Sequence, residues 1–102
     1  MKKLWLVAFA VGAAFTAAWG AAPSLELGRQ LFASPELGSV GKSCATCHPG
    51  GKGLEEIAAY SDGELREMIN FCIRDAMKGP MLDLKAPELE SIFLYLRSLS
   101  RP

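Results

Sequence analysis

The chain has 102 residues, of which 11 are basic and 11 acidic, so no excess of positive charge points to a nucleic acid partner. Its three cysteines cannot all pair with one another, which excludes a complete disulfide framework. A domain of this size buries little apolar surface and usually needs a staple, a metal or a cofactor, so we expect a bound group to stabilise it.

The first residues have the layout of a secretory signal. After the basic start MKK, the chain runs to Ala22 without a charge, and small residues close the run. Ala18 and Gly20 suit the small residues required before a cleavage site, so we expect a signal over 1–20 and a folded domain over 21–102. An uncleaved membrane anchor is the alternative, because the uncharged run just reaches the length that spans a bilayer. Either outcome places the domain outside the cytoplasm, in the periplasm.

The rest of the chain predicts an all-α fold. None of its apolar runs alternates as a strand would, and several follow the helical period. The predicted helical segments are Pro23–Ala33, Ser43–His48, Leu54–Tyr60, Asp62–Lys78 and Pro87–Leu99. Ser24 and Ser61 are the predicted N-caps, the second in a capping box with Glu64. Gly28 lies inside the first helix at a cost of about 1 kcal/mol relative to alanine, so we expect another helix to pass close to it.

The segment GKSCATCHPG, residues 41–50, carries the chemistry of the chain. Cys44 and Cys47 are three residues apart, and His48, the only histidine, follows directly. A thiol–disulfide pair has this cysteine spacing, but normally at the start of a helix in a βαβ unit, and no strands are predicted here. A zinc site would combine these three residues with Cys72. Adjacent side chains leave a helix about 100° apart, however, which suits one tetrahedral ion poorly.

Covalent attachment of a c-type haem explains the motif best, because C-x-x-C-H is the recognised signature of this attachment. At this spacing Cys44 and Cys47 reach the two vinyl groups along one edge of the porphyrin as thioethers. His48 then binds the iron as the proximal ligand. The sequence therefore predicts one covalently bound haem in the core of the domain.

With this motif, the chain resembles the small bacterial class I cytochromes c over nearly all of 21–102. LGRQLF near the start, CATCH, and ELESIFLYLRSL at the end carry the resemblance. It implies a small cytochrome c fold of about four short helices wrapped around one haem. It also implies that the first and last helices cross where Gly28 and Phe32 meet Tyr95. The segment between His48 and the last helix is short for the family and lacks a proline often found there, which implies a more exposed haem edge.

The resemblance also implies a methionine as the second, distal iron ligand. Met77 is the first choice, because its distance along the chain from Tyr95 resembles that in small bacterial members of the family. Met81 is the second choice, since it lies in a predicted loop from which a ligand reaches more freely. Cys72 is the third candidate, and Met68 is expected to pack in the core.

A haem with two protein ligands has no open position for a substrate, so such a site moves single electrons. We therefore expect a periplasmic electron carrier rather than an enzyme. Its partners would be larger periplasmic or membrane-bound redox proteins that dock briefly at the haem edge. The docking surface is expected around Cys44–Pro49 and Gly79–Lys85.

Cys72 suggests an alternative function for the protein. Its place on the apolar face of a helix predicts a small buried side chain. The segment INFCIRDAMKGPML, however, resembles a stretch of haem proteins that oxidise thiosulfate and similar sulfur compounds. Some of those proteins use a cysteine as iron ligand or sulfur carrier. The alternative is therefore a haem subunit of a sulfur-oxidising enzyme, with a reactive Cys72 and a stable assembly.

Overall fold

Four α-helices joined by three 3₁₀ turns form residues 22–99, the part of the chain that this computed structural model describes. The helices are α1 Leu25–Ala33, α2 Cys44–Cys47, α3 Asp62–Asp75 and α4 Pro87–Leu99, and the 3₁₀ turns are Pro35–Leu37, Pro49–Gly51 and Glu55–Ala59. No strand occurs in these residues, so the predicted all-α class is confirmed.

The predictions for the N-terminal segment concern residues before 22. The expected signal, its cleavage site and the ends of the predicted domain lie outside the described residues. Within 22–99, no helix has both the length and the apolar character needed to cross a membrane.

Serine side chains fix where two of the helices begin. The Ser24 hydroxyl accepts a hydrogen bond from the Leu27 N–H at 3.0 Å. The Ser61 hydroxyl accepts one from the Glu64 N–H at 3.2 Å, and the Glu64 carboxylate accepts one from the Ser61 N–H at 2.9 Å. Both predicted N-caps and the predicted capping box are therefore confirmed.

Helix α3 ends at Asp75 rather than at the predicted Lys78. Pro80 excludes only a helix that continues through it, because it has no N–H to donate to the Ala76 carbonyl. The earlier end comes from Lys78. Lys78, with φ of 59°, turns the chain away. As a result, Met77 lies just beyond the helix instead of within its last turn.

Helix α1 packs against α4 with almost no space between the backbones. A Cβ atom built on Gly28 would lie 1.9 Å from the Ser91 carbonyl oxygen and 2.9 Å from the Tyr95 Cβ. The Phe32 and Tyr95 rings are 5.2 Å apart between centroids, at an interplanar angle of 58°. The Ser24 N–H donates to the Ser91 hydroxyl at 3.0 Å. Gly28 and Phe32 therefore meet Tyr95 as predicted.

The core lies between α1, α3 and α4. Its buried side chains are Leu31, Phe32, Ile57, Leu65, Ile69, Ile73, Met77, Leu89, Ile92, Phe93 and Leu96. On α4, Ser91 is completely buried as well, whereas Leu99 is only half-buried.

Two polar side chains tie the connecting segments to the helices. Asn70 in α3 donates to the Leu82 carbonyl oxygen at 2.8 Å and accepts from the Leu82 N–H at 2.7 Å. Arg97 in α4 donates to the carbonyl oxygens of Ile57 and Tyr60 at 3.0 and 2.8 Å. These bonds hold the segments on either side of α3 against the helical core.

Candidate functional site

An apolar cleft lies between all four helices. Its apolar walls come from Phe32, Leu54, Ile57, Leu65, Ile69 and Leu96. The side chains that bring sulfur or imidazole nitrogen to it are Cys44, Cys47, His48, Met68, Cys72 and Met77. The cleft thus brings the only histidine and all three cysteines of the chain into one apolar space.

The one-turn helix α2 places the two cysteines of the motif on the cleft. Cys44 and Cys47 lie three residues apart, so they share a face of the turn. The Thr46 hydroxyl accepts a hydrogen bond from the Ser43 N–H at 2.9 Å, which fixes the turn from within the motif. Pro49 follows as the first residue of a 3₁₀ turn, and both cysteines are free thiols.

The Cys44 thiol is unsuited to thiol–disulfide chemistry. Burial raises its pKa to about 11, with a further contribution from Cys72. The leading cysteine of a redox C-x-x-C pair instead has a lowered pKa. The described residues also contain no strand that could form a βαβ unit. The structure therefore does not support a thiol–disulfide pair.

The His48 ring is held by a backbone carbonyl. Its Nδ1 lies 2.9 Å from the Lys52 carbonyl oxygen, and because that oxygen can only accept, Nδ1 carries the proton. The neutral ring then has its lone pair on Nε2, the nitrogen left available to a metal. A Cβ atom on Gly53, at φ of +90°, would lie 3.3 Å from Nδ1. The glycine therefore lets the chain pass close beside the imidazole.

Met77 and Met81, the two choices for a distal ligand, have different surroundings. The Met77 side chain is 2% exposed and lines the cleft, whereas Met81 is 48% exposed and lies away from it. The structure thus brings the first choice onto the same cleft as His48. Met68 is half-buried, lines the cleft and borders two outer grooves with Phe71, so the expectation that it packs in the core is wrong.

Cys72 is exposed, and the expectation of a small buried side chain is wrong. The apolar face of α3 is wider than the core it covers, so Leu65 and Ile69 are buried whereas Cys72 and Ala76 border the cleft mouth. The same two residues line a groove outside the cleft. Cys72 is therefore accessible from the surface and from the cleft.

The side chains considered for zinc do not form a metal cluster. Across 22–99, no three His, Cys, Asp or Glu side chains are grouped so that they could hold a metal ion. The combination of Cys44, Cys47, His48 and Cys72 is therefore not assembled as a zinc site, although all four line the cleft.

Several residues that shape the cleft were not predicted to do so. Phe32 was expected to meet Tyr95, and it also forms part of the cleft wall, as does Leu96. Helical periodicity indicates that such side chains are buried, but not whether they face a neighbour or a cavity. Gly53 ends the glycine-rich run PGGKG, a composition typical of turns, and only the structure shows that it lies beside His48.

Protein-family models, curated proteins and solved structures give no match to this chain. The arrangement of Cys44, Cys47, His48 and Met77 around one cleft therefore carries the functional argument.

Proposed function

We propose that this chain is an exported carrier of single electrons with one covalently attached c-type haem. The observation that carries the proposal is that Cys44, Cys47, His48 and Met77 line one apolar cleft. They supply two thiols for covalent attachment, an imidazole and a thioether, the ligand pair of electron-transferring cytochromes c.

The residues around the cleft fit a haem. The apolar walls of the cleft suit a large, flat and mainly apolar group. His48 keeps Nε2 free for iron, because Nδ1 is engaged by the Lys52 carbonyl oxygen. The described residues need no cluster of three metal-binding side chains for this purpose, because the porphyrin itself supplies most of the iron ligands.

Each side chain has a defined role in this proposal. Cys44 and Cys47 would hold the porphyrin through thioether bonds, and His48, through Nε2, and Met77 would hold the iron. When bound, the haem supplies an iron that gains and loses one electron. The chain keeps both ligands in place and excludes water with its apolar walls. A methionine opposite the histidine raises the reduction potential relative to two histidines.

The proposal places the protein in the periplasm and gives it transient partners. Residues 1–20 would direct export, and they would leave the protein attached to the membrane only if uncleaved. The partners are larger periplasmic or membrane-bound redox proteins that dock at the haem edge near Cys44–Pro49 and Gly79–Lys85. Met81 is exposed in the second segment and offers apolar surface to a partner. Interfaces of such carriers are small and weak.

Cys72 favours a second candidate function, a haem subunit of a thiosulfate-type sulfur-oxidising enzyme. Its exposed position at the cleft mouth would let a sulfur compound reach both the thiol and the haem. Treating the haem-loaded protein with an alkylating reagent separates the two functions. For the carrier, alkylation of Cys72 leaves electron transfer to small redox probes unchanged. For the enzyme subunit, thiosulfate reduces the haem, and alkylation of Cys72 or the Cys72→Ser change abolishes this reduction.

Export of the full chain in a bacterium that attaches c-type haem tests the main proposal. We expect one haem per chain that stays bound after denaturation, measured by mass spectrometry of the intact protein. Cys44→Ser and Cys47→Ser each remove one thioether bond and lower the yield of haem-loaded protein. Recovery of the wild-type chain without covalent haem would contradict the proposal.

Optical spectra of the oxidised protein then test the distal ligand. A methionine sulfur on ferric haem gives a weak far-red absorption band. We expect this band in the wild type and in Met81→Ala, and its loss in Met77→Ala. Met68→Ala is the matched control, because its thioether lines the same cleft. A band that survives Met77→Ala and disappears in Met68→Ala would reassign the ligand.

A further inference from the structure

The segment that carries Met77 is bonded to a distant loop between α1 and α2. The Ser39 N–H donates to the Met77 carbonyl oxygen at 2.9 Å, and the Ser39 hydroxyl donates to the Lys78 carbonyl oxygen at 2.6 Å. We name this meeting of Leu37–Ser39 with Met77–Gly79 the loop contact. The Ser39–Lys78 bond in this contact joins residues that are 39 positions apart in the sequence.

Two glycines allow the loop contact to form. A Cβ atom on Gly38 would lie 2.2 Å from the Met77 carbonyl oxygen and 2.6 Å from the Met77 Cβ. One on Gly79 would lie 1.9 Å from the Leu37 carbonyl oxygen. Real Cβ atoms essentially never come within 3.0 Å of such neighbours. Alanine at either position would therefore push the two segments apart.

The loop contact fixes the Met77 carbonyl, whereas α3 fixes the Met77 N–H. The Met77 N–H still donates to the Cys72 carbonyl oxygen at 3.1 Å, and the Gly79 N–H donates to the Ile73 carbonyl oxygen at 2.9 Å. The Met77 carbonyl has left the helix, and Ser39 provides its donor. Both backbone polar groups of Met77 are thus engaged at the point where its side chain enters the cleft.

We propose that Gly38, Ser39 and Gly79 are positioning residues that hold the Met77 thioether in place as the distal ligand. This inference rests on the proposed function. Methionine is flexible, with three rotatable bonds, and ordering it costs conformational entropy. A backbone already fixed by the loop contact lowers that cost when the sulfur binds, so Met77 competes better against other ligands.

Competition by imidazole in the oxidised, haem-loaded protein tests the proposal. Ser39→Ala removes one hydroxyl donor, and we expect the association constant of imidazole to rise about fivefold, the equivalent of one ordinary hydrogen bond. Gly38→Ala separates the two segments, and we expect a rise of more than about tenfold, together with a weaker far-red band. The reduction potential falls as methionine ligation is lost.

The chain offers a matched control for each change. Ser98→Ala also removes a serine hydroxyl that donates to a backbone carbonyl, that of Tyr95 in α4, away from the loop contact. Gly63→Ala adds a methyl group where no described atom lies within 4 Å. Both controls should leave the imidazole constant and the far-red band as in the wild type.

The outcomes separate the positioning role from the proposed function. Absence of covalent haem in the wild type overturns both. If haem is attached but Met77 is not its distal ligand, the positioning role is wrong and the distal ligand of the proposed carrier is reassigned. If haem is attached and Met77→Ala abolishes the band, but Ser39→Ala and Gly38→Ala bind imidazole no better than their controls, the positioning role is wrong and the carrier function stands. Should Gly38→Ala fail to fold, Ser39→Ala decides, because it adds no atom to the contact.

Discussion

The His48 side and the Met77 side of the cleft are built in different ways. On the His48 side, the bonds that fix the motif come from residues 43–53, including the Lys52 carbonyl that holds the ring. On the Met77 side, bonds to the nearby Cys72 and Ile73 carbonyls are joined by two bonds from Ser39, far away in the sequence. Contacts between distant residues require the whole fold, because closing a long loop costs entropy before any contact forms. The His48 side should therefore survive a loosening of the fold that abolishes the Met77 side.

This difference has a consequence for the proposed carrier. Its proximal ligand is set by local sequence, whereas its distal ligand depends on the packing of the domain. Since methionine ligation raises the reduction potential, that potential should report how intact the long-range contacts are. Changes in the fold should be visible in the far-red band before they affect haem attachment.

The largest expected effect comes from Gly28→Ala. This change disrupts the packing of α1 against α4 and therefore disturbs both sides of the cleft. The new methyl group would overlap the Ser91 carbonyl, 1.9 Å from the ideal Cβ position. We expect a loss of about 3 kcal/mol in the free energy of unfolding, the upper end of overpacking costs. Phe32 and Leu96, one from each helix, also line the cleft, so the far-red band should weaken. Denaturant unfolding of the haem-loaded protein measures the first effect.

Gly63→Ala is the matched control for this change. Gly63 lies in the first turn of α3, with open space at its Cβ position, and alanine in a helix is favoured over glycine by up to about 1 kcal/mol. The control should therefore be as stable as the wild type or more so. If Gly28→Ala and Gly63→Ala unfolded at the same denaturant concentration, the close approach of α1 and α4 would contribute nothing to stability.

Asn70→Ala should have the next largest effect and should act on the Met77 side alone. It removes both hydrogen bonds to the Leu82 backbone and leaves those groups without their partner. At about 1 kcal/mol for each bond, we expect a loss of about 2 kcal/mol in stability. The segment between Met77 and Leu82 loosens, so the far-red band weakens while the haem stays attached. Glu67→Ala, on an exposed part of the same helix, should change stability by less than about 0.5 kcal/mol.

The two sides also differ in how well the sequence predicted them. The sequence could predict that Cys44, Cys47 and His48 lie close together, because residues within one helical turn have fixed relative positions. The N-caps Ser24 and Ser61 were equally predictable, since capping depends on residues within the same turn. Gly28 was recognised because a glycine inside a helix is costly and needs a reason.

The loop contact could not be predicted in this way. Gly38 and Ser39 belong to a loop rich in serine and glycine, where neither residue type stands out. Their partners at Met77–Gly79 are chosen by the packing of the whole chain. The burial of Cys72 was predicted wrongly for a related reason. Helical periodicity identifies the apolar face of a helix, but it does not show which residues of that face border a cleft instead of the core.

Gly53→Ala should have a smaller effect, confined to the His48 side. The added methyl group meets a backbone at φ of +90° and the His48 Nδ1 at 3.3 Å. We expect a loss of about 1.5 kcal/mol in stability and a changed orientation of the imidazole, visible in the electron paramagnetic resonance spectrum of the ferric protein. Gly50→Ala has similar backbone strain at φ of +63°, but no described atom within 4 Å, and should cost about 1 kcal/mol. An equal effect of the two changes would show that Gly53 supports only the turn.

The smallest expected effect is that of Thr46→Val, which removes the hydroxyl that accepts from the Ser43 N–H at 2.9 Å. Thr46 is exposed, so water can replace part of the lost bond, and we expect a cost of about 0.5 kcal/mol. This change and Ser39→Ala each remove one hydrogen-bonded hydroxyl group, on opposite sides of the cleft. Thr46→Val should lower the yield of haem-loaded protein and leave the imidazole constant unchanged, whereas Ser39→Ala should do the reverse. If Thr46→Val raised imidazole affinity as much as Ser39→Ala, the two sides would not be independent, because a local change at the motif would have reached Met77 through the fold.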